Sequence, residues 1–228
     1  MAKQNNRFVI YTTAAAGVMI LVVVAVVVFL NGRATTFTGD APNADNVNPE
    51  TGAITIGDGS VRIDTWVDFM CPGCGAFESR YGEHLVDLAD GGKITLTITA
   101  VAALDRVSQG TEYSTRSANA LYCVAEQNQD AVIPFFQSLF ENQPAEGTAG
   151  LDDETLIQLA AVAGAEDAGD CIRDRPYDHF VEWVTEGIPA STEDGRRYTP
   201  GVLVDGEYIV NPNGNDDFMQ LLDGLVQK

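Results

Sequence analysis

Basic residues are scarce in this sequence, in which 13 Lys and Arg stand against 33 Asp and Glu. No acidic residue precedes Asp40, whereas Lys3, Arg7 and Arg33 surround an apolar run. From residue 34 onward 10 basic and 33 acidic residues remain, which is a formal charge of −23. Such a surface repels nucleic acid and anionic lipid, so we expect no nucleic-acid partner. The simplest interpretation of the charge is solubility outside the cell.

Common catalytic motifs are also missing. The sequence has no HExxH, no GxSxG, no phosphate-cradling glycine loop and no internal repeat, and its two histidines, His84 and His179, are isolated. These absences disfavour zinc proteases, serine hydrolases and nucleotide-binding enzymes. We therefore expect neither a cofactor nor a metal.

Cysteine is rare, with four residues in the chain. None precedes Cys71, which excludes a lipid-modified N-terminal cysteine. Cys71 and Cys74 form a CxxC motif, while Cys123 and Cys171 are too far apart in sequence to supply the second close pair that zinc would need. The residues alone leave redox catalysis, a structural disulfide and a zinc site open for Cys71 and Cys74.

The N-terminal region predicts a membrane anchor. Residues 1–7 are polar and basic, and residues 8–30 are 23 positions without a charge, enough to span a bilayer. A cleaved signal peptide is the alternative, but no cleavage pattern is evident near Arg33. Lys3 and Arg7 favour a cytoplasmic N-terminus, with the remainder outside. Residues 31–51, rich in Asn, Thr, Asp and Gly, predict a flexible linker.

The CxxC motif lies between a strand and a helix. Val61 to Met70 is rich in β-formers and predicts a strand, and Pro72 is suited to open a helix. Apolar residues at helical spacing continue that helix from Gly75 to Asp90. Cys71 would then lie at an exposed first turn that favours its thiolate, and Cys74 would be buried one turn on as the resolving thiol.

The remaining chain predicts one α/β domain over residues 52–228. Lys93 to Val101 would be a strand parallel to the one before Cys71, since a helix connects them. Residues from about 108 to 187 carry helical patterns and no strand signal. Asp205-Gly206 marks a hairpin turn, and Asn215 to Gln227 a closing helix with Phe218, Leu221, Leu222 and Leu225 packed inward.

Two stretches carry a family resemblance. Val67 to Glu78, which contains Cys71-Pro72-Gly73-Cys74, resembles the active site of DsbA-like thioredoxin-fold thiol–disulfide oxidoreductases. Tyr198 to Gly206 resembles that family's cis-proline loop, with Pro200 as the cis-proline. The resemblance implies a thioredoxin fold with an inserted all-helical subdomain at about 108–187, preceded here by the anchor.

The resemblance also implies roles for individual residues. Cys71 and Cys74 would be catalytic, with Pro72 and Gly73 completing the motif, and Thr199 and Pro200 would bind substrate. Some actinobacterial members have a second bridge, which implies a structural disulfide between Cys123 and Cys171. Free buried thiols and a second redox pair remain alternatives for these two cysteines.

The sequence departs from the family pattern at two positions. Thr65 stands where many relatives carry an acid, and strand alternation makes neither Asp64 nor Asp68 an obvious substitute. Gly73 stands where some relatives carry histidine, which predicts a less acidic Cys71.

The predicted function is an extracytoplasmic thiol–disulfide oxidoreductase, anchored in the cell membrane, that introduces disulfides into exported proteins. Its expected partners are reduced exported proteins and, by resemblance, a membrane oxidase of the DsbB or vitamin-K-epoxide-reductase type. A disulfide reductase or isomerase would use the same cysteines in the opposite direction. A non-catalytic peptide-binding module with structural disulfides is the alternative from another class.

Overall fold

A mixed β-sheet forms the centre of the fold in the computed structural model, which describes residues 37–214 and 216–226. The sheet is assembled in the order β1-β3-β2-β4-β5. Its strands are β1 (Ile54–Ile56), β2 (Val61–Val67), β3 (Ile94–Ala100), β4 (Gly201–Val204) and β5 (Glu207–Tyr208). The central β2 pairs parallel to β3, as the predicted crossover requires, and it pairs antiparallel to β4. The CxxC motif therefore follows the middle strand of the sheet.

A long helical run follows β2 and differs from the predicted regular helix. It comprises α1 (Pro72–Phe77), a π-helical turn (Glu78–Gly82) and α2 (Glu83–Asp90). In the π turn, the Tyr81 ring packs against the rings of Phe77 and Phe218, each with a centroid distance of 5.1 Å. Tyr81 also donates a hydrogen bond to the Pro212 carbonyl at 2.9 Å. The π turn thus fixes this helix to the C-terminal part of the domain.

The segment from about 108 to 187 is helical and contains no strand, as predicted. Its helices are α3 (Tyr113–Gln127), α4 (Val132–Glu141), α5 (Asp153–Val162), α6 (Gly169–Asp174) and α7 (Asp178–Thr185). Every residue of α3 from Tyr113 to Ala125 is buried, so α3 is the core helix of this subdomain. Asp152 caps α5 by accepting a 2.9 Å hydrogen bond from the Thr155 N–H.

The C-terminal part comprises the β4–β5 hairpin and α8 (Asp216–Val226). Asp205 and Gly206 both have positive φ, the conformation that a tight hairpin turn requires. Phe218, Leu222 and Leu225 of α8 are buried as predicted, but Leu221 is 38% exposed. The prediction for Leu221 was wrong because the apolar face of α8 is narrower than its run of leucines suggests.

The predicted linker needs a correction at its C-terminal end. Val47 is buried and forms an isolated β-bridge with Ile54, and the Thr55 N–H donates to the Asn46 carbonyl at 2.8 Å. The Asn48 N–H donates to the Ala53 carbonyl at 2.9 Å, closing a turn. The polar turn residues that predicted flexibility instead return the chain onto the sheet. The folded domain therefore begins before residue 52.

The predicted anchor, residues 8–30, lies outside the described residues, as does the segment 1–7, which is predicted to be cytoplasmic. Within residues 37–214 and 216–226, no helix combines the length and the apolar character needed to cross a membrane.

Candidate active site

The two cysteines of the CxxC motif lie where β2 leads into α1. Cys71 has an extended backbone and is the N-cap of α1, and Pro72 occupies the first helical turn, where its missing N–H breaks no helical bond. Cys74 is fully buried, and Cys71 is 8% exposed to solvent. Cys71 is thus less exposed than predicted, because the loop containing Thr199 covers part of its thiol.

The environment of Cys71 favours its thiolate and lowers its pKa to about 6. The largest cause is a hydrogen bond from the Cys74 thiol, and burial opposes it. Thr199 and the backbone N–H groups of Cys74 and Gly73 also lower the pKa. The predicted loss of acidity from having glycine at position 73 is therefore compensated by hydrogen-bond donors.

Cys74 has the opposite acidity. Burial, followed by the neighbouring Cys71, raises the pKa of Cys74 well above its usual value. Its Sγ accepts a hydrogen bond from the Asp68 N–H at 3.4 Å. The two thiols of one motif thus differ strongly, with a stable thiolate at Cys71 and a protonated thiol at Cys74.

A cis peptide bond joins Thr199 to Pro200 beside the motif. The Cys71 Sγ lies 3.4 Å from the Thr199 carbonyl oxygen. A Cβ placed at Gly73 would be 3.5 Å from both Pro200 Cδ and the Thr199 oxygen, which is ordinary contact. The structure thus brings Cys71 and Gly73 together with Thr199 and Pro200. Cys71 and Thr199 are in contact although they are 128 residues apart in sequence.

Many relatives carry an acid at the position of Thr65, and we expected neither neighbouring acid to take its place. Asp68 corrects this expectation. Burial raises the Asp68 pKa to about 7, although three hydrogen bonds oppose the rise. These come from the N–H groups of Met70 and Leu104, at 2.8 and 2.9 Å, and from the Ser114 hydroxyl at 2.8 Å. Asp68 lies one residue beyond β2, so strand alternation did not apply to it. Its backbone contact with Cys74 makes it the acid beside the buried thiol.

A second acid, Glu78, shares a small internal cavity with Cys74. The cavity has a volume of about 10 Å³ and is also lined by Thr65. Burial raises the Glu78 pKa to about 7. A Cβ at position 82 would lie 2.1 Å from Glu78 Oε1, so Gly82 provides the space for this carboxyl group. Glu78 was not predicted as a site residue. The signal that could have identified it is its position one helical turn after Cys74.

Two carboxamide side chains contact the motif from distant segments, and sequence reasoning missed both. Gln143, just after α4, donates to the carbonyls of Phe69 and Cys71 at 3.1 and 2.9 Å. Asn213 donates to the Gly73 carbonyl at 2.9 Å. Neither residue lies in a recognisable motif, so only the folded arrangement shows these contacts.

A groove of about 330 Å³ extends from the motif along the cis-proline loop. Its walls carry the aromatic rings of Tyr198 and Tyr208, the carboxylates of Glu193 and Asp194, and peptide groups at Thr199. The Tyr198 hydroxyl donates to Asp194 at 2.7 Å. This groove has the size and the mixed lining that suit a short extended peptide segment.

The other two cysteines, Cys123 and Cys171, form a disulfide that joins α3 to α6. Their Cα atoms are 5.8 Å apart. The bridge lies in the helical subdomain, and both of its cysteines are on helices that do not carry the CxxC motif.

Comparisons with known proteins agree with this geometry. A family model described as thioredoxin matches residues 50–224. The reduced disulfide-bond oxidoreductase DsbG of Mycobacterium tuberculosis has 28% sequence identity and a TM-score of 0.65, covering 77% of this chain and 88% of that one. Oxidised DsbA of the same organism has 27% identity and a TM-score of 0.62, covering 77% of this chain and 96% of that one.

Two further comparisons are more limited. MdbA, a thiol–disulfide oxidoreductase from Corynebacterium diphtheriae, has 17% identity and a TM-score of 0.65, covering 83% of this chain and 96% of that one, and at this identity it supports the fold alone. The serine/threonine-protein kinase PknE of Mycobacterium tuberculosis is 33% identical over 108 residues, 46% of this chain. The matched region spans 19% of the kinase's length.

Proposed function

The chain belongs to the thioredoxin family and is a thiol–disulfide oxidoreductase, and from this premise we propose that it introduces disulfides into exported proteins through Cys71 and Cys74. The observation that carries this proposal is the acidity difference between the two thiols. Cys71 has a pKa of about 6, and Cys74 has a strongly raised pKa. Stabilising the Cys71 thiolate stabilises the reduced protein, so the disulfide becomes the oxidant.

The reaction begins with the Cys71–Cys74 disulfide. A substrate thiolate attacks Cys71 Sγ, a bond forms between the two sulfurs, and Cys74 leaves with the electron pair and takes up a proton. A second substrate thiolate then attacks the substrate sulfur of this mixed disulfide and releases the Cys71 thiolate. The substrate is oxidised by two electrons to a disulfide, and the protein is reduced to the dithiol.

Asp68 and Glu78 support the proton transfer at Cys74. The leaving Cys74 thiolate is buried and must be neutralised, because an isolated charge is costly there. Both acids have a pKa of about 7, so each exchanges a proton near neutral pH. Glu78 also lines an open surface cavity, which gives the proton a path to solvent.

The groove along the cis-proline loop receives the substrate segment that contains the reacting cysteine. The Thr199 carbonyl lies 3.4 Å from Cys71 Sγ, so a peptide paired with the Thr199 backbone places its own cysteine beside the attacked sulfur. Thr199 and Pro200 are therefore proposed as substrate-binding residues.

The proposed location is the outer face of the cell membrane. Residues 8–30 form a single-pass anchor with a cytoplasmic N-terminus, and the catalytic domain is extracytoplasmic. The Cys123–Cys171 disulfide supports this, because structural disulfides persist in oxidising compartments. A membrane oxidase of the DsbB or vitamin-K-epoxide-reductase type accepts the two electrons and restores the Cys71–Cys74 disulfide. A reporter fused after residue 36, active only outside the cytoplasm, tests the orientation.

The reduction potential tests the direction of electron flow. Thioredoxin, with a cysteine pKa of about 7, lies near −270 mV, and DsbA, with about 3.5, lies near −120 mV. A Cys71 pKa of about 6 places this protein between them. Equilibration with glutathione redox buffers should give such an intermediate reduction potential. In a separate assay, the oxidised protein should introduce disulfides into a reduced unfolded protein. A potential below that of thioredoxin favours the reductase, and loss of both oxidising and insulin-reducing activity favours the non-catalytic module.

A further inference from the structure

Two side-chain amides hold the backbone of the CxxC turn from outside it. Gln143 Nε2 donates to the Cys71 carbonyl at 2.9 Å and to the Phe69 carbonyl at 3.1 Å. Asn213 Nδ2 donates to the Gly73 carbonyl at 2.9 Å. Gln143 comes from the helical subdomain and Asn213 from the turn before α8. Two distant segments therefore converge on one turn of backbone.

The Asn213 contact reaches Cys71 through a single peptide unit. The Gly73 carbonyl and the Cys74 N–H belong to the same amide, and this N–H stabilises the Cys71 thiolate. A donor on the carbonyl end polarises the amide and strengthens its N–H as a hydrogen-bond donor. The Asn213 hydrogen bond also fixes the direction in which that N–H points.

The Gln143 contact acts on the other side of the turn. The Cys71 carbonyl accepts from the N–H groups of Cys74 and Gly75, at 2.9 and 3.1 Å. By donating to this same carbonyl, Gln143 fixes the peptide from which the turn starts. A Cβ at position 75 would be 2.2 Å from Gln143 Oε1, so any larger residue there would displace the Gln143 side chain from this arrangement.

The backbone of the turn that carries Asn213 is itself held in position. The Arg80 guanidinium donates to the Asn213 carbonyl at 2.8 Å, and the Tyr81 hydroxyl to the Pro212 carbonyl at 2.9 Å. Asn213 Oδ1 is buried and has no hydrogen-bond partner among the residues that the structure describes. The Asn213 amide thus donates to Gly73 while its own oxygen stays buried and unpaired, which is uncommon for a buried polar atom.

We propose that Gln143 and Asn213 are positioning residues that hold the backbone of the CxxC turn around Cys71 Sγ, and thereby stabilise its thiolate and make the Cys71–Cys74 disulfide more oxidising. The inference rests on the proposed redox role of Cys71. Three titratable groups bear on this sulfur or on its partner: Cys74, which hydrogen-bonds to it, Asp68, and Glu78 across the cavity beside Cys74. None of them is altered in the test.

The test replaces each amide by an apolar side chain of similar size. Gln143→Met and Asn213→Leu remove the donors, and Gln137→Met is the control, because Gln137 lies on the neighbouring helix α4 and makes no hydrogen bond to the CxxC turn within the described residues. The readouts are the pH dependence of Cys71 alkylation by iodoacetamide and the equilibrium constant of the disulfide with glutathione. A lost donor should slow alkylation at pH 6 about twofold, which corresponds to a pKa rise of roughly half a unit from a value of about 6.

The glutathione equilibrium should shift by a similar factor toward the oxidised protein, because both readouts measure the same thiolate stabilisation. Gln137→Met should change neither. If a variant unfolds, Gln143→Asn and Asn213→Ser shorten the side chains with less disturbance. Unchanged acidity and equilibrium in folded variants, or equal changes in Gln137→Met, would overturn the proposal. Since both readouts concern Cys71 itself, failure to oxidise exported proteins would refute the proposed function without affecting this result.

Discussion

Cys71 and Cys74 differ in what each sulfur can do. Cys71 keeps some exposure and a lowered pKa, whereas Cys74 is fully buried with a raised pKa. An accessible sulfur that leaves readily as a thiolate is the one that a substrate attacks. The buried thiol then provides the internal route by which a mixed disulfide is resolved. These roles lead to a test with single substitutions.

We predict that Cys74→Ser accumulates covalent complexes with partner proteins through Cys71, because the internal resolving thiol is gone. On non-reducing gels these should appear as bands sensitive to dithiothreitol. Cys71→Ser should be inactive and give few complexes, and the Cys71→Ser/Cys74→Ser double variant should give none. If Cys71→Ser traps partners as well as Cys74→Ser, the roles are assigned wrongly.

Glu78 gives a prediction about stability and pH. Its pKa is 4.5 when unperturbed and about 7 in the folded protein, because burial disfavours the carboxylate. Between these values the folded state binds more protons than the unfolded state, so this group lowers the free energy of unfolding as pH rises from about 4.5 to about 7. The effect is constant above pH 7 and amounts to roughly 3 kcal/mol at most.

Glu78→Gln should therefore stabilise the protein at pH 8 by up to roughly 3 kcal/mol and have little effect near pH 4. Urea unfolding of both proteins at the two pH values measures the difference. Glu83→Gln, an exposed acid on the following helix turn, is the control and should be nearly neutral at both. An equal effect of Glu78→Gln at both pH values would show that packing, not ionisation, accounts for it.

At the scale of elements, the helical subdomain depends on the bridge between α3 and α6. Cys123 and Cys171 are separated by 48 residues, and closing a loop of that length stabilises the fold by roughly 4 kcal/mol in the chain-entropy model. Cys171 lies on the six-residue α6, which is too short to be stable alone. The disulfide fixes this short helix to the buried core helix.

Replacing both Cys123 and Cys171 by Ser should lower the melting temperature markedly and leave the Cys71 pKa nearly unchanged. The reason is that the bridge joins α3 to α6, neither of which carries the CxxC turn or the cis-proline loop. Thermal unfolding and Cys71 alkylation in the same preparation measure the two effects. A shift of the Cys71 pKa comparable to that expected for Gln143→Met would show that the bridge acts on the active site.

At the scale of the whole molecule, periodic patterns in the sequence predicted the architecture. They did not predict all of the site, because the site depends on contacts between distant segments. The strands on either side of the CxxC helix and the helical character of residues 108–187 followed from alternation and helical spacing, since these are local properties. Asp68 was set aside because it was treated as part of a strand that had already ended. Gln143 and Asn213 contact the motif across 72 and 140 residues, and their own sequence neighbourhoods carry no signal of it.

The net charge of the molecule leads to a prediction about substrates. From residue 34 onward the formal charge is −23. The groove beside Thr199 adds local carboxylates, and the pKa of Asp194 is lowered by the Tyr198 hydroxyl, so this acid is ionised at neutral pH. The global field favours positive charge, and the two acids that line the groove add to it against the opposing charge of Arg196, which acts on Asp194. Such steering weakens as salt shortens the Debye length.

A reduced peptide with lysines beside its cysteines should therefore be oxidised faster than one with glutamates. The lysine peptide should lose several-fold in rate as ionic strength rises from about 0.01 to about 0.1 M, over which the Debye length falls from about 30 to about 10 Å. The glutamate peptide should gain over the same range. Glu193→Gln/Asp194→Asn should reduce the discrimination more than Glu83→Gln/Glu141→Gln, since the latter pair removes equal charge from a different surface cavity. Equal effects of the two double variants would mean that the net charge alone steers the substrate, and no salt dependence would exclude steering altogether.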